Sequence, residues 1–322
     1  EMDVIVEETG VPRSDIDEFV RLYGPSESSS IVYSLDNVPE DLRKDCVYAL
    51  VTLALLTGNI GKVSSGIYPL FPGANAQGAW DMGCVPTLLP GHMSLVSEEA
   101  RSTVCKEWGA EIPKELGMGI RQMFGGNGLG QIDTMFIVGD GVGLGEDLSL
   151  LDSLKFLVVQ DTFVGPLAQK ADVVLPRVTF TEKYGTFTNL ERRIQTLRMV
   201  TPIQKGNPKP ESWTLCELAL RMGVQGFDFE SPDSIMEEAA RVTFPYRGVS
   251  LQRLESEGRV IFRPDASNPL PTQVLYSDKE YAGIQWPCSD PDIEGTQVLY
   301  SEGFGDHKVQ ILPINFKLSS IW

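Results

Sequence analysis

Three short apolar runs constrain the fold of this chain more than any other feature. They are Met135-Phe-Ile-Val138, Lys155-Phe-Leu-Val-Val-Gln-Asp161 and Ala171-Asp-Val-Val-Leu-Pro176. None alternates apolar with polar residues. Strands covered on both faces read this way, and such strands belong to parallel sheets. The stretches between them suit short crossover helices, so the pattern predicts an α/β domain with right-handed crossovers. The first run ends in Gly139-Asp-Gly-Val-Gly-Leu-Gly145. An open sheet of this type usually holds its ligand at such a turn, beyond the carboxyl end of a strand. A glycine-rich turn that binds nothing is the plain alternative.

Charge and cysteine content narrow the function classes. The net charge of −17 argues against nucleic acid as a partner, since phosphate binding needs clustered Lys and Arg. It suits solubility or docking to a basic partner. The five cysteines are widely spaced and form no C-x-x-C pair, which argues against an iron–sulfur cluster, a structural zinc site or a disulfide framework. They are expected to be mostly buried thiols, Cys84 among them, in a reducing compartment. The two histidines, His92 and His307, lie far apart, so a His-based triad or metal site is not expected. The longest apolar run, Cys46–Thr57, is too short to span a membrane. The chain opens on the acidic Glu1-Met-Asp-Val, so no signal peptide is expected. The expected location is cytoplasmic, with no direct membrane insertion and at most peripheral attachment to a membrane complex.

Along the chain, helices are predicted over Pro12–Tyr23 with Ser14 as its cap, Pro39–Gly58, Val96–Trp108 capped by Ser97, Glu211–Met222 and Ser231–Ala240. The second half of the Pro39 helix is apolar all round and is expected to be buried. Strands are predicted at Ile31–Ser34, Thr134–Val138, Phe156–Val159 and Asp172–Leu175, with short helices near Asp147–Leu154 and Gly165–Lys170. Gly61–Pro90 reads as a loop, and a loop this long is more often functional than idle. Gly185–Gln195 reads as a loop entering a strand, and the tail from Phe244 onward reads as irregular. Thr272-Gln-Val-Leu-Tyr-Ser277 recurs as Thr296-Gln-Val-Leu-Tyr-Ser301, which is too little to indicate a repeat architecture.

Several segments then add up. They are Leu53-Ala-Leu-Leu-Thr-Gly-Asn-Ile-Gly61, Gly66-Ile-Tyr-Pro-Leu70, Ala74-Asn-Ala-Gln-Gly-Ala-Trp-Asp-Met-Gly83, Gln160-Asp161, Ala171–Pro176, Gly185-Thr-Phe-Thr-Asn189, Glu191-Arg-Arg193 and Gln285-Trp-Pro-Cys288. Together and in order they resemble the molybdopterin oxidoreductase family, with the nearest likeness to formate dehydrogenase large subunits and to the related molybdopterin-fold subunit of NADH–quinone oxidoreductase (complex I). The resemblance implies a Rossmann-like parallel-sheet domain with parts of adjoining domains. It also implies a molybdopterin guanine dinucleotide that carries Mo or W.

By that resemblance, Gly139 and Asp140 of the turn, with Gln160 and Asp161, line one nucleotide. A strand-end acid can accept N–H bonds from a guanine edge, and a glycine turn lets backbone N–H groups reach phosphate. Asn189 and Arg193 would meet a pterin, and Asn75 and Gln77 would sit toward the metal. No catalytic or metal-ligating residue is expected in this chain. It looks like the central part of a larger protein, and alone it is expected to hold no cofactor and to be inactive. The expected partners are other segments or subunits of a redox complex, including an iron–sulfur domain. The expected divisions are 1–73, closing a Rossmann-like domain; 74–176, the sheet domain; and 177–322, an α+β segment with an irregular tail.

The chain departs from the family pattern where Phe71 stands in place of a substrate-binding arginine, at Gly141-Val142 in the turn, and at Ser212 before Trp213. Two readings follow. One is part of a formate dehydrogenase-like enzyme. The other is a cofactor-free scaffold of the NADH–quinone oxidoreductase type.

Overall fold

A computed structural model describes residues 2–124, 132–141, 144, 148–203, 205–256, 283–305 and 308–311. The chain forms two compact units, Glu1–Gly73 with Thr296–Trp322, and Ala74–Gly295.

The first unit holds helices α1 (Met2–Thr9), α2 (Arg13–Tyr23) and α3 (Glu40–Leu56) and strands β1 (Ser30–Tyr33) and β2 (Gly66–Pro69). The strands pair in parallel, from Ser30 against Gly66 to Tyr33 against Pro69. Pro12 rather than Ser14 precedes the first turn of α2, and the Ser14 hydroxyl turns instead to Asp15 Oδ1 at 3.0 Å. The expected burial of α3 does not occur among the described residues. Ala54 is covered, but Leu56 is 70% exposed and most of the helix is half-buried. A two-stranded layer covers one helix face only.

The second unit begins with α4 (Ala76–Asp81), the short antiparallel pair β3 (Leu88–Leu89) and β4 (Met93–Ser94), α5 (Glu98–Trp108) and α6 (Ile120–Phe124). The predicted 61–90 loop therefore contains β2, α4 and β3. Elements of a few residues carry no usable hydrophobic period. Ser97 caps α5 as its sequence suggests, accepting from Ala100 N–H, and Gly109 ends the helix in the left-handed region.

The three apolar runs form the parallel sheet β5 (Thr134–Val138), β6 (Phe156–Asp161) and β7 (Val173–Pro176), in that order. Val138 lies against Gln160, and Gln160 against Leu175. A 3-10 turn, Leu148–Ser153, and helix α7 (Pro166–Lys170) make the crossovers. The core of this layer is Phe124, Leu151, Leu157, Val159, Leu167 and Ala168. Asp172 is structural: its Oδ2 accepts the Leu157 N–H at 2.7 Å and stitches the entry of β7 to β6.

Past the sheet, β8 (Gly185–Thr188) and β9 (Arg193–Leu197) form a hairpin, and β10 (Ile284–Gln285) adds antiparallel to β9. Three helices accompany it: α8 (Glu211–Arg221), α9 (Pro232–Val242) and α10 (Leu251–Ser256). The tail expected to be irregular supplies a core instead. Tyr246, Val249, Leu251, Leu254, Ile284 and Cys288 pack with Ile194 and Met236. Its residues are spread over a 3-10 turn, a short helix and a two-residue strand, so no single stretch shows a period. The first copy of the repeated hexapeptide lies outside the described residues.

Cys288 is the one fully buried thiol. Cys46, Cys105 and Cys216 are half-buried, and Cys84 is exposed. The expectation of mostly buried thiols fails because Cys46, Cys105 and Cys216 lie on the half-covered helices α3, α5 and α8, and Cys84 follows the turn at Gly83 after α4. Among the described residues, no helix is long and apolar enough to cross a membrane.

Candidate functional site

The carboxyl ends of β6 and β7 open onto a cavity of about 450 Å³. Its lining includes Thr162, Arg177, Thr179, Thr181, Thr201 and Lys205. Hydroxyls and two cations, against the one acid Glu182, suit an anionic, sugar-like ligand. The volume falls within the roughly 300–1,000 Å³ of small-molecule sites.

One wall is held by α8. The Gln160 side chain is fully buried, and its Nε2 donates to the Lys209 carbonyl at 3.1 Å and to Thr214 Oγ1 at 2.8 Å. Its Oε1 is buried without a hydrogen-bond partner among the described residues. Glu211, in the first turn of α8, receives Arg177 at 2.5 Å and Lys183 at 2.8 Å. Burial alone would raise the Glu211 carboxyl. The hydrogen bond from Lys183 and the charges of Lys183 and Arg177 outweigh it, so the carboxyl lies below the usual glutamate range.

This has a pH consequence. A carboxyl whose folded pKa is depressed contributes stability above its unfolded pKa and loses it as pH falls through the folded value. Urea midpoints of the wild type and Glu211→Gln are therefore expected to differ near pH 7 and to converge in acid. Parallel pH profiles would remove Glu211 as a source of acid lability.

A second polar cluster lies between α4, the 3-10 turn Pro90–His92 and β8. Asp81 is wholly buried. Its Oδ1 meets Gln77 Nε2 and His92 Nε2, each at 2.7 Å, and its Oδ2 accepts from the Tyr246 hydroxyl at 2.7 Å. Tyr246 and Thr188 share a hydroxyl–hydroxyl bond of 2.8 Å. Burial first, then the charge of Asp81, push the Tyr246 hydroxyl far above the ordinary tyrosine range. Thr188 N–H donates to Asn75 Oδ1 at 2.9 Å, which ties α4 to β8. His92 has φ 60° beside Gly91 at 76°, so the turn aims its ring back at Asp81.

The eight residues singled out in the sequence fall into two groups. Gly139, Asp140, Gln160 and Asp161 sit at the carboxyl edge of the parallel sheet. Gly139 N–H donates to the Gln160 carbonyl at 2.9 Å. Asp161 Oδ1 accepts the Thr162 N–H at 2.6 Å, and among the described residues its Oδ2 accepts no hydrogen bond. Asn75, Gln77, Asn189 and Arg193 belong with the second cluster and the adjoining hairpin. Asn189 Oδ1 accepts from the backbone N–H of Glu191 and of Arg193, each at 2.9 Å, and so shapes the β8–β9 turn. Arg193 Nε lies 3.7 Å from Glu191 Oε2.

Arg177, Lys205, Asp81, His92 and Tyr246 were not indicated by the sequence. For Arg177 a signal existed, since it directly follows the third apolar run. Asp81 lies within the Ala74–Gly83 segment, but nothing local ties it to Tyr246, 165 positions away.

The family model for molybdopterin oxidoreductases matches residues 40–221, more than half of the chain. The chain belongs to the molybdopterin oxidoreductase family. A Staphylococcus haemolyticus protein named "Putative formate dehydrogenase" is 34% identical over 98% of this chain and 30% of its own length. A Bacillus subtilis protein named "Probable oxidoreductase YjgC" is 33% identical over 96% of the chain and 29% of its own. The chain thus spans about a third of the length of these curated relatives. The fold is also that of acetylene hydratase from Pelobacter acetylenicus, at TM-score 0.52 and 16% identity over 78% of this chain and 37% of that one.

Molybdopterin oxidoreductases imply a molybdopterin cofactor with Mo or W. The cavity's cations and hydroxyls fit a phosphate-bearing part of such a group. They do not fit its metal end. Among the described residues no set of three or more His, Cys, Asp or Glu could hold a metal ion.

Proposed function

We propose that this chain is the nucleotide-holding part of a formate dehydrogenase-like molybdopterin oxidoreductase, and that the cavity beyond β6 and β7 takes a guanine dinucleotide arm. The cavity itself carries the reading: it combines Arg177, Lys205 and threonine hydroxyls at the carboxyl edge of a parallel sheet. Asp161 offers a carboxylate oxygen to a guanine N–H edge, and Gly139 and Asp140 flank the phosphates. Gln160 acts from beneath by fixing α8. Asn75, Gln77, Asn189 and Arg193 serve the pterin side. When bound, such a cofactor carries the metal at which two-electron transfer occurs. In the complete protein, an iron–sulfur domain would pass the electrons on. Titration with fluorescently labelled GDP is expected to show saturable binding that unlabelled GDP displaces far better than ADP. Absence of GDP binding at millimolar concentrations, or equal displacement by ADP, would reject a guanine site.

One observation favours a second reading, a cofactor-free scaffold like the molybdopterin-fold subunit of NADH–quinone oxidoreductase. Phe71 stands exposed where the resemblance puts a substrate-binding arginine, and a phenyl ring cannot clamp a carboxylate. Metal and pterin analysis of the complete protein separates the two. Molybdenum or tungsten near one per polypeptide rejects the scaffold, and none rejects catalysis.

A further inference from the structure

We propose that Arg177 is a diphosphate-binding residue of the cavity, presented to its ligand by Glu211. The inference rests on the reading of this cavity as the nucleotide site and adds to it a residue outside the eight named from the sequence.

The backbone of Arg177 is tied on both sides. Its N–H donates to the Asp161 carbonyl at 3.0 Å, and it forms a parallel bridge with Lys209. The guanidinium is tied along one edge only. Nε and Nη2 both approach Glu211 Oε1, at 2.5 Å each. The remaining nitrogen, Nη1, has no hydrogen-bond partner among the described residues. It points toward the glycine turn, 3.7 Å from where a Cβ on Gly139 would stand. Gly139 has φ 99°, a backbone that side chains rarely adopt, so residue 139 places no side chain beside Nη1. A guanidinium is a planar fork that can be held by a carboxylate on one edge while offering N–H donors on the other.

The alternative is that Arg177 merely neutralises Glu211. Lys183 already does so, with two contacts of 2.8 and 3.0 Å to the two carboxylate oxygens. A second cation on the same carboxylate leaves this wall with surplus positive charge, and Lys205 adds to it from the cavity lining. Glu182 in the lining and Asp161 at the strand end return negative charge to the region, the Glu182 carboxylate accepting the Thr179 N–H at 2.9 Å. The open donor edge faces Gly139, and Arg177 itself joins that edge to the cavity lining. Two adjacent phosphates fit that chemistry better than a neutral group.

The test compares GDP and GMP binding to the full chain in the wild type, Arg177→Met, Arg177→Lys and, as a charge control, Lys155→Met. Lys155 pairs with Asp133 at the opposite end of the sheet. Arg177→Met is expected to weaken GDP about tenfold or more, in line with the loss of a charge-assisted hydrogen bond. It should weaken GMP distinctly less, and Lys155→Met should leave both unchanged. Arg177→Lys keeps a charge but loses the fork, and should fall between. If circular dichroism shows Arg177→Met unfolded, Arg177→Lys carries the test. Wild-type GDP affinity in the folded Arg177 variant overturns the assignment and leaves the cavity reading standing. So does equal weakening of GDP and GMP, or an equal loss in Lys155→Met. A wild-type chain that binds no GDP overturns both.

Discussion

Replacing Asp81 by leucine is expected to cost about 3–5 kcal/mol of stability, the range for removing one partner of a buried charged network. Three donors converge on this carboxylate: Gln77 Nε2, His92 Nε2 and the Tyr246 hydroxyl. Leucine has similar bulk, so the loss comes from the donors and not from a cavity. Each orphaned buried donor costs about 1–3 kcal/mol, and Tyr246 has almost no access to water to replace its partner. Asparagine should be milder. Its oxygen can keep Gln77 and His92, and its amide can donate to the Tyr246 oxygen while that hydroxyl turns to Thr188 Oγ1. Urea denaturation followed by tryptophan fluorescence gives both numbers. A leucine variant within about 1 kcal/mol of wild type would mean that the network merely coexists with a fold held elsewhere.

That network also marks the boundary of what the sequence discloses. The three apolar runs announced the parallel sheet because none alternates, a local property of contiguous residues, although only β6 is covered over most of its length and β7 leaves Val173 and Val174 exposed. Asp172 could be read as a turn residue for the same reason: its bond to Leu157 N–H fixes the start of its own strand. The segments around Gly139, Gln160 and Asp161 indicated the carboxyl edge, because a sheet of this type concentrates its ligands there. The charges beside that edge were only partly legible. Arg177 directly follows the third run, but its partner Glu211 sits on a helix after a linker and reaches it at 2.5 Å. Gln160 invited a role in direct ligand contact, yet its amide nitrogen is spent on Lys209 and Thr214. Whether a side chain faces a cavity or the helix behind it depends on that helix, and periodicity over six residues of β6 does not encode it. The Asp81–His92 pair is hidden for a related reason. Two histidines far apart in sequence exclude a His-based cluster but say nothing about one histidine with a buried acid. Only the left-handed turn at Gly91-His92 brings the ring to Asp81.

Leu254→Ala is expected to destabilise the chain by about 2–5 kcal/mol, the range for truncating a buried leucine with partial collapse of the cavity. Leu254 is 1% exposed, and its cluster joins α9, α10, β9, β10 and the 3-10 turn at Phe244–Tyr246. Collapse around the missing methyls is restricted there. Arg253, the preceding residue, donates to the Gly248 carbonyl at 2.7 Å and also reaches the Ile293 carbonyl, pinning the returning strap to α10. Gly248 N–H donates to the Cys288 carbonyl at 2.9 Å, and a Cβ on Gly248 would stand 2.2 Å from the Asp290 carbonyl oxygen. The backbone is already in contact with itself, so it cannot move inward to fill the void, which places the expected cost toward the upper end of the range. Leu56→Ala is the comparison. That leucine is 70% exposed, and its truncation should change stability by no more than about 0.5 kcal/mol. Equal effects of the two truncations in urea would show that the segment beyond Phe244 packs on the domain without supporting it. A large effect at Leu254 alone would establish that this segment, which has no periodic signature of its own, completes the core on which β8, β9 and their polar cluster rest.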